Sequence, residues 1–120
     1  FVRSAAELAR ARAAIKASGA SAAELSERNG PASGSVAFGT MHLAKGLEFR
    51  SVAVMACDDE VIPLQSRIEA ISDPSDLEEV YDTERHLLYV AVTRARDHLL
   101  VTGVDPASEF LEDLSNTNIS

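Results

Sequence analysis

The sequence has no tryptophan and one cysteine, Cys57. One cysteine excludes an internal disulfide and argues against a cysteine-based metal cluster. It fits a reducing cytosol. No apolar run is long enough to span a membrane, and no signal peptide is visible. Base is scarce too: 11 lysines and arginines stand against 19 acids, a formal charge of −8. That balance argues against a broad nucleic-acid-binding surface, although a local site can carry the opposite sign. A phosphate cradle of the form GxxxxGK[ST] is also missing. The first residue is Phe1, and FVRS reads like the end of a strand, so the chain is expected to be a cut from a longer protein.

What remains is ordinary globular material. The 120 residues are 46% apolar and 25% charged, enough for one domain or a piece of one. The charge is uneven. From Asp58 to Glu84 the chain is acidic with Arg67 as its only base, and from Arg85 to Arg96 it turns basic.

Periodicity orders the elements. SAAELARARAAIKASG, residues 4–19, is helical in pattern, with Ser4 and Glu7 as a capping box and Gly19 as a stop. A second SAAEL at 21–25 offers another short helix start. Asn29 to Gly34 reads as a flexible loop. SVAFG, 35–39, is a short strand, and SVAVMAC, 51–57, is a strand expected to be buried on both faces. Asp58 to Pro74 reads as a surface excursion. Asp76 to about Arg94 is helical, with Leu77, Tyr81, Leu88 and Ala91 on one stripe. HLLVTG, 98–103, is another strand expected to be buried. Asp105 is expected to cap a last helix with Pro106 at its first position, and SNTNIS to fray. Alternating strands and helices predict an α/β fold with a parallel sheet. Ligands in such sheets bind beyond the carboxyl ends of strands.

The segment TMHLAKGLEF, 40–49, begins at such an end. Thr40 offers a hydroxyl, His42 a ring nitrogen and Lys45 a charge, a set suited to phosphate oxygens. Glu48 repels phosphate, so it would accept from a sugar hydroxyl or hold a neighbouring base. The plain alternative is a strand–helix connection in which Thr40 caps, Gly46 turns, and Lys45 and Glu48 are solvated. In ERHLLYVAVTRAR, 84–96, Arg94 follows an apolar run. Its fork suits a phosphoryl group. It would equally pair with a local carboxylate or favour a helix C-terminus. Arg85 is expected to pair with an acid such as Asp82, and Arg96 to be solvated.

Taken together and in this order, TMHLAKGLEF and ERHLLYVAVTRA resemble motifs V and VI of the UvrD/Rep/PcrA-like superfamily 1 DNA helicases. The resemblance runs from about Val36 to Val101, with motif V at about 36–49 and motif VI at about 84–96. ASEFLEDL, 107–114, is similar to the family's closing helix. The resemblance implies that residues 1–114 form the C-terminal portion of the second RecA-like motor domain. The parent would be a 3′–5′ ATP-dependent translocase that works with a first RecA-like domain, on single-stranded and duplex DNA and not at a membrane. It would use ATP with Mg²⁺, the metal held mainly by the first domain.

By motif position, Arg94 would reach the γ-phosphate as the catalytic arginine. Glu48 would bond the ribose, with Gly46 beside it in the nucleotide site. Thr40, His42 and Lys45 would meet DNA, and Tyr89 and Thr93 would couple the two. No metal ligand is assigned. The chain departs from the family at ACDDEVIP, 56–63, which lacks the usual glycines, and at His86, where arginine is common. The stretch from Gly19 to Gly34 is too short for the large inserted subdomain of many relatives. Without a phosphate cradle, this piece alone is expected to be inactive. Two alternatives stay open: a silent helicase-derived module that binds DNA or protein, and the motor part of a RecB/AddA-like helicase–nuclease.

Overall fold

A computed structural model describes residues 1–26 and 34–115. The expected loop at Asn29–Gly34 and the tail at 115–120 lie largely outside them. Two parallel ribbons form the sheet. β1 (Ala22–Glu24) pairs with β2 (Val36–Phe38), and β3 (Phe49–Val54) pairs with β4 (Ala95–Val101). The opening FVR joins them. The amino group of Phe1 donates to the Ala53 carbonyl at 2.7 Å, and its carbonyl accepts the Met55 N–H at 2.9 Å. On the other side Val2 exchanges bonds with Gly39 and Met41, bridging Thr40 in parallel. The layer therefore reads β1, β2, residues 1–2, β3, β4, all parallel.

Helices α1 (Leu8–Ala17) and α3 (Asp76–Val92) take opposite faces, because side chains alternate along extended chain. Val2 packs with Ala11 and Phe38 on the α1 side, while its neighbour Arg3 faces α3. Val52 and Val54 share the main core with Leu88, Ala91 and Val92 of α3, whereas Met55 packs on the α1 side. Two shorter helices, α2 (Gln65–Glu69) and α4 (Phe110–Ser115), close the α3 side, where Phe110 is buried edge-on to Tyr81.

Several sequence expectations change. The second SAAEL is strand β1, not a helix start, because Val36 and Phe38 offer it backbone partners. The Ser4 hydroxyl makes no capping bond; the chain enters α1 through a 3₁₀ turn, Ala5–Glu7, and Glu7 accepts from Arg10 instead. β3 is not buried on both faces, since Ser51 and Ala53 are exposed, and the strand expected to be buried at 98–103 is the edge strand β4, whose Leu100 is 60% exposed. α1 reaches only part of that face and leaves an open groove lined by Ile15, Phe38, Ala53 and Met55.

The stretch after β3 is more than a surface excursion. Ile62 and Pro63 are buried, and α2 lies within it. Asp105 does not cap the last helix. Residues 102–108 run beside 57–59, with bonds between Cys57 and Thr102, Asp59 and Pro106, and Ser108 and Cys57. Those backbone groups are taken, so the helix starts only at Phe110, whose N–H is accepted by the Ser108 hydroxyl at 3.2 Å. Gly103 permits this approach, since a Cβ there would sit 2.5 Å from the Cys57 carbonyl oxygen.

Candidate nucleotide and DNA interface

The segment 40–48 connects β2 to β3. Thr40 leaves β2 in an extended conformation, Met41–Leu43 form one 3₁₀ turn, and Gly46 takes φ +80°. That angle favours glycine. Met41 and Ala44 are buried and anchor the turn from below. His42, Lys45, Gly46 and Glu48 are exposed on its outer side. The alternation of anchor and polar residue turns these polar groups outward along a connection that runs from the carboxyl end of β2, at Thr40, to the amino end of β3, next to Glu48.

Arg94 lies just past the end of α3 and folds back over it. Its Nε donates to the Val90 carbonyl at 3.0 Å, its Nη2 to the Thr93 hydroxyl at 3.1 Å, and its Nη1 to the Leu47 carbonyl at 3.4 Å. The Phe49 N–H donates to the Arg94 carbonyl at 2.9 Å. Arg94 is thus tied twice to the turn that carries Glu48. The Thr93 hydroxyl donates to the Tyr89 carbonyl at 2.9 Å, while Tyr89 is 62% exposed. Thr93 therefore joins Tyr89's backbone to Arg94, and the Tyr89 side chain faces outward. Lys45 stands apart from these contacts.

The arginines sort themselves. Arg3, Arg10, Arg12, Arg50, Arg67, Arg85 and Arg96 each pair with a carboxylate. Among the described residues Arg94 alone has only neutral acceptors, in a chain of net charge −8. Pairing with a local acid, one of the plain alternatives, is excluded there. The helix C-terminus contributes through Val90. Arg85 does pair with Asp82 at 3.7 Å and also lies over the Tyr81 and Phe110 rings. Arg96 is half-exposed beside Asp97.

Sequence reasoning missed the most buried polar group. Glu84 is 1% exposed. It accepts from Arg3 Nε at 2.8 Å and Nη2 at 2.7 Å, from Arg67 Nη1 at 2.9 Å, and from the Leu64 N–H at 2.7 Å. The third Arg3 nitrogen, Nη1, lies 3.3 Å from His42 Nε2. The signal was present: Leu77, Tyr81, Glu84, Leu88 and Ala91 form one helical stripe, and an acid within an apolar stripe demands a buried partner.

Burial pushes the Glu84 carboxyl up, but the donors from Arg3, Leu64 and Arg67 outweigh it and hold it below its ordinary 4.5. Asp58 is held below its ordinary 3.8, first by its bond from Arg10 and further by the Val104 N–H. Both carboxyls are thus easier to ionise folded than unfolded. Their stability is fully present above the unfolded values and is lost as pH falls through the lower folded ones. Melting temperature should be level from neutral pH down to about 5 and then fall. A level melting temperature down to about pH 3 would contradict this.

Among the described residues no three His, Cys, Asp or Glu side chains gather as a metal site. Asp58 in the acidic run is already engaged by Arg10 and Val104. No described helix is long and apolar enough to cross a membrane.

This parallel layer with helices on both faces defines an α/β domain, and comparison identifies its family. Residues 13–105 match the model of the UvrD-like helicase C-terminal domain. The ATP-dependent DNA helicase UvrD1 of Mycobacterium leprae is 36% identical over 68% of this chain and 11% of its own length. PcrA of Staphylococcus epidermidis, also an ATP-dependent DNA helicase, is 39% identical over 64% of this chain and 10% of its own. A crystal structure of the C-terminal domain of a possible DNA helicase from Lactobacillus plantarum superposes with a TM-score of 0.60 at 27% identity, covering 92% of this chain and 57% of that one. The chain belongs to the UvrD-like helicase C-terminal domain family. It spans about a tenth of the length of these curated relatives.

Proposed function

We propose that the chain is the closing part of the second RecA-like motor domain of an ATP-dependent 3′–5′ DNA helicase. The observation that carries this reading is Arg94, a guanidinium held by neutral acceptors while its described neighbours of the same type all have acids. A fork in that state is ready for an anion. In the assembled parent it turns to the γ-phosphate across the cleft and stabilises charge on the transferring group. Glu48, exposed on the tethered turn, accepts from the ribose, and Gly46 gives that turn its shape. Thr40, His42 and Lys45 meet the backbone of single-stranded DNA. Thr93 links Arg94 to Tyr89 and so couples the two contacts.

The first RecA-like domain of the parent supplies the phosphate cradle and the main ligands of Mg²⁺. Such a metal, when bound, neutralises charge on the phosphates. Among the described residues the acids do not assemble a site for it, and this chain's own residues bind, orient and neutralise. The chain by itself should not turn over ATP.

Glu48→Ala in the parent tests the ribose contact. A hydrogen bond to a charged group contributes about 1.5–3 kcal/mol, so KM for ATP should rise about tenfold or more with kcat nearly unchanged. An unchanged KM removes Glu48 from the nucleotide site. A parent without any DNA-dependent turnover favours a silent binding module instead.

A further inference from the structure

We propose that Arg3 is a positioning residue that fixes the ring of His42 and ties it to the Arg94 helix through Glu84. The inference rests on the reading of His42 as a DNA contact and of Arg94 as the phosphate contact.

Arg3 sits at the junction of three segments. Its backbone belongs to the stretch that stitches the sheet together. Two of its nitrogens are held by the buried Glu84 carboxylate of α3. The third, Nη1, points at His42 Nε2 at 3.3 Å. A guanidinium has donors only and does not lose its proton. The contact is therefore a hydrogen bond only if Nε2 accepts. The His42 ring must then be neutral, with its proton on Nδ1.

This has a chemical consequence at the surface. His42 is exposed, so with Nε2 occupied the ring offers Nδ1–H outward as a neutral donor. Such a donor suits a phosphate oxygen and contributes no charge of its own. The orientation is set from behind by Arg3, and Arg3 is set by Glu84. Glu84 and Arg94 stand ten positions apart along α3 and its end, about 15 Å by helical rise. A shift of His42 on binding DNA thus pulls on the helix that carries the phosphate-facing arginine. A lysine at position 3 would keep a charge on Glu84 but could not span both partners in the same fork geometry.

Lying between two sites does not make a residue a coupler; a change in DNA stimulation does. The test uses the parent protein and an unstructured thymidine oligonucleotide. ATP turnover is measured with and without saturating oligonucleotide for wild type, Arg3→Lys and Arg67→Ala. Arg67→Ala is the structural control, since Arg67 also pairs with Glu84 but does not reach His42.

For Arg3→Lys, stimulation should fall about tenfold, within the usual range of coupling between sites. For Arg67→Ala it should stay within about twofold of wild type, as for a partly exposed ion pair. Wild-type stimulation in Arg3→Lys overturns the proposal. So does an equal fall in both variants, because ion-pair integrity alone would then explain it. If Arg3→Lys loses its cooperative melt, nitrogen-15 resonances of the histidine ring in the wild-type parent decide. The His42 signal, assigned by its absence from His42→Asn, should report the Nδ1–H tautomer at neutral pH. An Nε2–H tautomer or an imidazolium overturns the proposal. A wild-type parent with no DNA stimulation is a separate result, and it removes the functional reading on which this one rests.

Discussion

Arg94→Ala in the parent protein is expected to reduce DNA-stimulated ATP turnover by about 10³–10⁵-fold, the usual contribution of such arginines. Affinity for single-stranded DNA should change little, because Arg94 bonds to Val90, Thr93 and Leu47 and not to the outer side of the motif V turn. The fold should tolerate the loss. The guanidinium makes three bonds to neutral acceptors, one of them 3.4 Å long, each worth no more than about 1.5–3 kcal/mol, and the Phe49 N–H still finds the carbonyl of residue 94. Loss of turnover together with loss of the cooperative melt would instead place Arg94 in the scaffold. Normal turnover would refute its assignment to the phosphate.

The second large effect is on stability. Glu84→Ala should destabilise the fold by about 3–5 kcal/mol, the cost of stranding a buried charge. Arg3 is 4% exposed and would keep its guanidinium with no carboxylate beside it. The Leu64 N–H would lose its acceptor as well. Melting temperature should fall by more than about 10 °C. Replacing both partners by apolar residues of similar volume should recover much of this, since the pair's desolvation cost disappears with it. A Glu84→Ala loss below about 1 kcal/mol, the scale of a surface pair, would show that water reaches Arg3 readily.

Much of this was legible in the sequence, for local reasons. Gly19 and Gly46 both adopt positive φ where the pattern ended a helix or required a turn. The stripe Leu77–Ala91 marked α3 to within two residues of its end. Parallel α/β character followed from strands alternating with helices. The segment 40–48 holds one 3₁₀ turn and leads into a strand rather than a helix, fixed by local apolar anchors, Met41 and Ala44.

The misses share a cause, which is pairing between segments far apart in the chain. β1 is helical in composition but is captured by β2. Pro106 cannot open a helix because residues 102–108 are already bonded to 57–59. Alternating exposure on β3 depends on how far α1 reaches. The link from Glu84 to Arg3 spans 81 positions, and no local window contains both. The same distance hid the value of Arg94's surroundings. That it lacks a carboxylate is a property of the folded chain, since nearby acids abound in the sequence.

The most direct test of the central claim compares two arginines two positions apart. Arg94→Ala and Arg96→Ala remove the same charge from the same stretch, but Arg96 is half-exposed and sits beside Asp97 at 3.5 Å. Steady-state ATP turnover of the parent should be measured for both, with saturating single-stranded DNA. We expect collapse in Arg94→Ala and a rate within about twofold of wild type in Arg96→Ala, as befits a surface charge. Equal rates in the two variants would contradict the account.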